Sequence, residues 1–298
     1  RLKENYLDNG VDGLWFDEAE PEIHPEHFDN IIMYAGRGDE VALLYPYHYA
    51  QLVYDGMKKM GRDDVITLTR SAYTGAQRFG ALVWSGDIAS TFESLEEQVK
   101  SGLNMAMCGI PWWNTDIGGF YGGDINSDYF RELIVRWFQY GLFSPVMRLH
   151  GSRDGHDRSR NIKEPTGGDN ELWSFGERNL KILSEIVKLR YRLIPYITEQ
   201  MDLASEKGYP VMRPMFFDYP DDDKCYGIGD QYMFGPDILF APIVKQGQTE
   251  RGVWLPEGSW VLTKDKQEYK GGKWVEVSAG TEEFIAFVKK GARVLECF

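Results

Sequence analysis

The chain has 298 residues, room for about two domains, and its 43% hydrophobic and 27% charged composition excludes disordered and fibrous architectures. Lys plus Arg is 33 and Asp plus Glu is 46, so the formal net charge of −13 argues against nucleic acid and anionic membranes as partners. No apolar run approaches the roughly 20 residues of a bilayer crossing, and the wide spacing of Cys108, Cys225 and Cys297 offers neither a disulfide framework nor a CxxC metal pair. The opening RLKENYLDNG has no Met and no signal-peptide pattern, so the chain is expected to be the inner part of a longer sequence, and its compartment stays undetermined.

Residues 1–9 read as the end of a helix closed by Asn9-Gly10, and Val11–Asp17 as a short apolar strand ending in acids. Helical spacing over 45–61, stopping at Gly61, precedes strand-like runs at Val65–Arg70 and Gly80–Asp87. Phe92–Met107 is helical in pattern, Cys108–Asp116 is a fourth strand candidate, Ser127–Tyr140 is helical and Pro145–His150 is a fifth strand candidate. A long helical stretch fills 171–207 and is expected to be interrupted near Pro195. Short apolar strands alternating with helices predict a parallel sheet with crossover helices. Each strand candidate ends in a charged or titratable residue (Asp17, Arg70, Asp87, Asp116, His150), as in (β/α)8 barrels, whose active sites lie at the C-terminal strand ends. A doubly wound sheet fits less well, because no GxGxxG follows a strand. From about Pro210, short apolar runs alternate with turn signals such as Pro256-Glu257-Gly258 and Lys270-Gly271-Gly272, which predicts an antiparallel β-domain.

Retaining cleavage of a glycosidic bond needs one carboxylate to attack the anomeric carbon and one carboxylic acid to protonate the leaving oxygen. Asp17, where an apolar strand enters a loop, and Asp87 in Trp84-Ser85-Gly86-Asp87 are candidates; a helix cap or loop turn is the plain alternative for each. Arg70 suits a two-pronged clamp on a carboxylate or sugar hydroxyl, or an ordinary buried ion pair. His150 suits donation to a hydroxyl, or a structural role. No HExxH, His/Cys cluster, Walker loop or GxSxG elbow is present, so neither metal nor cofactor is called for. Gly151-Ser152-Arg153 is a faint hint of a phosphate loop. The 9 Trp, 17 Tyr and 16 Phe suit sugar stacking as well as a core.

The segments GLWFDEAEP (13–21), TRSAYTGAQR (69–78), WSGD (84–87), WNTDIGGF (113–120) and RLHGS (148–152), in this order, resemble glycoside hydrolase family 31, the α-glucosidases and α-xylosidases. The resemblance implies Asp17 as nucleophile and Asp87 as general acid/base. It implies Trp15, Arg70, Trp84, Asp116 and His150 as residues lining or supporting the sugar subsite, with Arg78 behind the acid/base strand. Many α-glucosidases of the family read Asp-Met-Asn-Glu-Pro at the nucleophile; Asp17-Glu18-Ala19-Glu20-Pro21 is more similar to the α-xylosidase branch.

The expected fold is α/β: an incomplete (β/α)8 TIM barrel, about the last five strands, over 1–208, followed by an antiparallel β-sandwich domain over 209–298. The expected activity is retaining hydrolysis of terminal α-linked glucose or xylose through a glycosyl-aspartate, with Asp17 and Asp87 facing each other at the retaining distance of about 5–5.5 Å. The alternatives are an inactive carbohydrate-binding fragment, an α-transglycosylase, or another barrel enzyme using Asp17 and His150. The expected partner is an oligosaccharide or glycoside substrate, with a homo-oligomer left open, and neither nucleic acid nor membrane.

Overall fold

The computed structural model describes residues 1–20, 25–153 and 167–298, so Pro21 of the first motif lies outside the described residues. The chain divides into two units, Arg1–Trp84 with Cys108–Trp113, and Ser85–Met107 with Asn114–Phe298.

In the first unit, helix α1 (Leu2–Asn5) and a 3-10 turn at Leu7–Asn9 lead to strand β1 (Leu14–Phe16). A two-residue hairpin of β2 (Ile32–Met33) and β3 (Gly36–Arg37), a single turn α2 (Gly38–Val41) and the longer α3 (Tyr45–Lys59) follow. Strands β4 (Thr67–Thr69) and β5 (Ala81–Trp84) complete the run. Beside them lies β6 (Trp113–Asn114), which starts five residues later than the sequence run at Cys108 suggests and carries the chain into the second unit. The sheet order is β1-β4-β5-β6, with β1, β4 and β5 parallel, and the Val83 N–H donates to the Trp112 carbonyl at 3.0 Å.

The two-residue pleat decides which side chains share a face. Thr67, Thr69, Ala81 and Val83 are buried on one side, where Phe16 meets Tyr49 of α3 edge-on at 5.3 Å between ring centroids. Trp15, Leu68 and Leu82 occupy the other side and line a cleft of about 460 Å³, and the register pairs Trp15 with Leu68 and Leu68 with Leu82. Asp17, Arg70 and Trp84, each two residues further along, continue that second face. Leu7, Met57 and Val65 form a small core beneath the helices.

The second unit begins with α4 (Phe92–Met107), as its apolar spacing predicts, and continues with α5 (Asp128–Leu142), capped by Ser127, whose hydroxyl accepts the Phe130 N–H at 3.1 Å. From Leu133 to Leu142 every side of α5 is buried, which fits its apolar residues all round. The polar exceptions are Arg136, which donates to the carbonyls of Gln248, Ala279, Gly280 and Glu283, and Gln139, which donates to those of Thr281 and Glu283; together they tie α5 to the loops between the C-terminal strands.

Two expectations are corrected here. The fifth strand, Pro145–His150, is reduced to a parallel bridge between Leu149 and Ile117. Pro145 has no N–H to give a ladder, and Arg190 draws the carbonyls of Leu142, Ser144 and Pro145 to itself. The long helix α6 (Glu177–Lys207) runs through Pro195 without interruption. Pro195 lies on the exposed side of α6, while Leu183, Ile186, Leu189, Leu193 and Ile197 are buried. Their burial offsets the roughly 3 kcal/mol that an interior proline costs a helix.

Beyond Gly208 the strands are antiparallel. The strands are β7 (Met212–Pro214), separated by the single turn α7 (Met215–Asp218) from β8 (Tyr232–Phe234), then β9 (Ile238–Phe240) and β10 (Glu250–Leu255). They continue with β11 (Ser259–Leu262), β12 (Glu268–Lys270), β13 (Lys273–Ser278) and β14 (Ala286–Lys289). One sheet has the order β12-β11-β14-β9-β8-β7, and β10 pairs with β13 in another. Val253, Leu255 and Val277 of that pair share a core with Met233, Leu239, Trp260, Leu262 and Phe287 of the larger sheet. This is the sandwich predicted by alternating apolar runs. The two turn signals meet: the Gly271 N–H donates to the Gly258 carbonyl at 2.9 Å and the Gly272 N–H to the Leu255 carbonyl at 2.8 Å.

Candidate active site

In the first unit, Asp17 follows β1 and is exposed; its Oδ1 accepts the Glu18 N–H at 2.8 Å and lies 3.5 Å from Arg70 Nη1. Arg70, at the end of β4, gives its Nε to Glu20 Oε1 at 2.5 Å, so one guanidinium spans two acids of the DEAE run. Glu18 between them has φ +51, a left-handed conformation uncommon for a residue with a side chain. The sharp turn presents Asp17 and Glu20 to the same arginine. Trp84 is buried at the end of β5, and Trp15, half-exposed, meets it edge-on at 5.7 Å. Trp15, Asp17, Arg70 and Trp84 are therefore brought together in the first unit. Arg78 is exposed beside Phe79.

In the second unit, Asp87 is exposed on the loop after β5, and the Tyr121 hydroxyl donates to its Oδ2 at 3.3 Å. That loop is stitched to the next one: the Phe120 and Tyr121 N–H groups donate to the Ile88 carbonyl, and the Ser90 N–H donates to the Tyr121 carbonyl. Asp116, after β6, is completely buried, with its Oδ1 on Arg148 Nη2, while Arg148 Nε donates to Asn114 Oδ1 at 2.8 Å. Asp116 Oδ2 has no hydrogen-bond partner among the described residues. His150 is half-buried, its ring 5.6 Å from that of Phe120.

Burial pushes the Asp116 carboxyl up to about 6; the Arg148 charge pulls it back and the Asp87 charge adds to the rise. Burial likewise lowers Arg148 despite their contact, so desolvation outweighs attraction on both partners. Because the folded form holds this proton more tightly than the unfolded chain, Asp116 makes folding less favourable as pH rises from about 4 to about 6, by up to about 3 kcal/mol. The expected result is that Asp116→Asn gains stability relative to wild type as pH rises across that window, since an amide oxygen still faces Arg148 but cannot ionise. Urea midpoints of both proteins at pH 4 and pH 6.5 check this; equal pH dependence in the two refutes it.

Sequence reasoning missed Glu20, Tyr121, Arg148 and Arg153 as parts of the site. Glu20 and Arg148 stood inside quoted motifs, and Arg148 is two residues before His150, a spacing that puts both on one face of an extended segment. Arg153 is no phosphate loop: it is buried and donates to backbone carbonyls. Among the described residues no group of three or more His, Cys, Asp or Glu is placed to hold a metal, and no helix is long and apolar enough to cross a membrane.

Parallel strands separated by helices, with acids and an arginine following their C-terminal ends, are the pattern of a β/α-barrel scaffold. The sequence matches the glycosyl hydrolases family 31 TIM-barrel domain over residues 1–200 and the glycosyl hydrolase family 31 C-terminal domain over residues 208–294. The chain belongs to glycoside hydrolase family 31. It is 34% identical to an α-xylosidase of Saccharolobus solfataricus over 295 residues, covering 96% of this chain and 38% of that protein. It is 33% identical to α-glucosidase 2 of Bacillus thermoamyloliquefaciens, covering 97% of this chain and 36% of the relative. The solved structure of a family 31 α-xylosidase from a soil metagenome, complexed with xylose, superposes with a TM-score of 0.94 at 47% identity, over 99% of this chain and 45% of that one. The chain thus spans less than half the length of these relatives.

Proposed function

We propose that this chain carries the catalytic carboxylates of a retaining α-glycosidase that removes terminal α-linked xylose or glucose from oligosaccharides. The observation that carries the reading is Asp17 at the end of a parallel strand with the Arg70 guanidinium 3.5 Å from its Oδ1. That contact holds the Asp17 side chain at the strand end, where a nucleophile must be presented to the substrate. Asp17 attacks the anomeric carbon as the bond to the leaving oxygen breaks, and Asp87 gives that oxygen its proton. A β-glycosyl ester results. Asp87, now a carboxylate, takes a proton from water as the water oxygen attacks the same carbon and the ester bond breaks, returning the α-configured sugar. Trp15 and Trp84 offer an apolar wall to the ring, Asp116 and His150 hold the sugar end of the site, and Arg70 holds Asp17. Two domains, 1–208 and 209–298, are part of the same proposal; the two family matches and the change of strand direction after Gly208 support them.

Xylose is favoured over glucose by the DEAE run at Asp17, which is more similar to the α-xylosidase branch. The test is the intact enzyme with nitrophenyl α-xyloside and α-glucoside side by side, reading the first-formed anomer by NMR. Faster turnover of the xyloside with α-xylose released first is expected. A β-anomer, or no turnover of either, refutes the reading.

A further inference from the structure

Arg153 is only 2% exposed, and its guanidinium reaches three chain segments besides its own. Nη1 donates to Ser90 Oγ at 3.1 Å and to the carbonyls of Gly118, Gly119 and Gly122 at 3.3, 2.8 and 3.3 Å. Nη2 donates to the carbonyls of Ile117 at 3.0 Å and His150 at 3.3 Å, and Nε to Asn170 Oδ1 at 2.7 Å. The Phe130 ring lies beneath, 4.8 Å from the guanidinium carbon. The loop curls tightly enough to aim these carbonyls inward only because Gly118 and Gly119 take φ +91 and +77, and a Cβ on Gly118 would stand 2.8 Å from Arg153 Nη2. The anchored atoms adjoin the candidate site. Ser90 is three residues from Asp87, Ile117 follows Asp116, the gathered loop carries Tyr121 with its bond to Asp87, and the His150 carbonyl is held directly.

We propose that Arg153 is a positioning residue that sets Asp87, Asp116 and His150 relative to one another; the inference rests on the glycosidase reading above. The planar fork is what the site requires. A lysine ammonium keeps the charge but cannot reach from Ser90 and Gly122 on one side to Ile117 and His150 on the other.

The experiment compares wild type, Arg153→Lys and Asp87→Ala in the intact enzyme, on an activated aryl α-glycoside and on the matching α-linked disaccharide. Misplacement of the acid hurts the disaccharide, whose leaving group needs a proton, more than the aryl substrate, whose leaving group does not. Partial unfolding lowers both equally, because it changes only the active fraction. Arg153→Lys is expected to lower kcat/KM on the disaccharide by about tenfold or more and to raise the aryl-to-disaccharide ratio in the direction of Asp87→Ala. An unchanged ratio overturns the proposal, whether or not total activity falls. If wild type turns over neither substrate, the glycosidase reading fails separately. Arg153 is then judged by amide hydrogen exchange over 117–122 and 149–153: faster exchange in Arg153→Lys upholds its hold on these loops, and unchanged exchange overturns it.

Discussion

Replacing Asp17 by alanine is expected to abolish turnover of activated and natural substrates alike, by roughly 10⁴–10⁶-fold in kcat, the scale on which covalent catalysis fails when its nucleophile is deleted. The fold should survive: Asp17 is exposed, its polar contacts among the described residues include the Glu18 N–H and one arm of Arg70, and Arg70 keeps Glu20. Circular dichroism and the thermal midpoint should therefore stay near wild type while activity vanishes. Azide makes the test specific. With the carboxylate gone, a small anion in its place attacks an activated α-glycoside from the same side and leaves a β-glycosyl azide. Residual turnover within about a hundredfold of wild type would assign the nucleophile elsewhere, and Glu20, on the same arginine, would be the next residue to test.

Replacing Asp87 by alanine should separate substrates instead of silencing them. Loss of a general acid costs about 10²–10⁴-fold where the leaving oxygen needs its proton and far less where the leaving group is a stabilised phenolate. The same variant lacks the base for the second step, so the glycosyl-enzyme should accumulate and appear as a burst with the activated substrate. Azide needs no base and attacks the ester from the opposite side, so the product is the α-glycosyl azide. The two variants therefore give opposite azide anomers. Equal losses on both substrates with Asp87→Ala would remove it from the role of acid. Tyr121 loses its hydrogen-bond acceptor at Asp87 Oδ2 in this variant, but it is exposed and its backbone remains bonded to the neighbouring loop, so little structural change is expected.

Local patterns in the chain carried much of this. A short apolar run ending in an acid or arginine marked β1, β4 and β5, because a strand in a parallel sheet is apolar until it emerges at its end. The two-residue pleat already placed Trp15 with Asp17, and Leu68 with Arg70, on common faces. Helix spacing placed α4 to the residue, and turn signals marked the antiparallel strands after Gly208. These features depend on neighbours a few positions apart, and local sterics and burial decide them.

Contacts between distant segments were decided only by the tertiary structure. Pro195 reads locally as a break, yet α6 passes through it because the buried side is packed and the proline is on the exposed one. Pro145–His150 reads as a strand, yet Arg190, a side chain more than forty residues away, takes up the carbonyls before it. Glu20 shares Arg70 with Asp17, Arg148 holds Asp116, Tyr121 reaches Asp87, and Arg153 gathers three loops. No spacing rule predicts which donor a buried acceptor will find, because that choice is made when separate loops are brought together and each polar group removed from water must be satisfied at once.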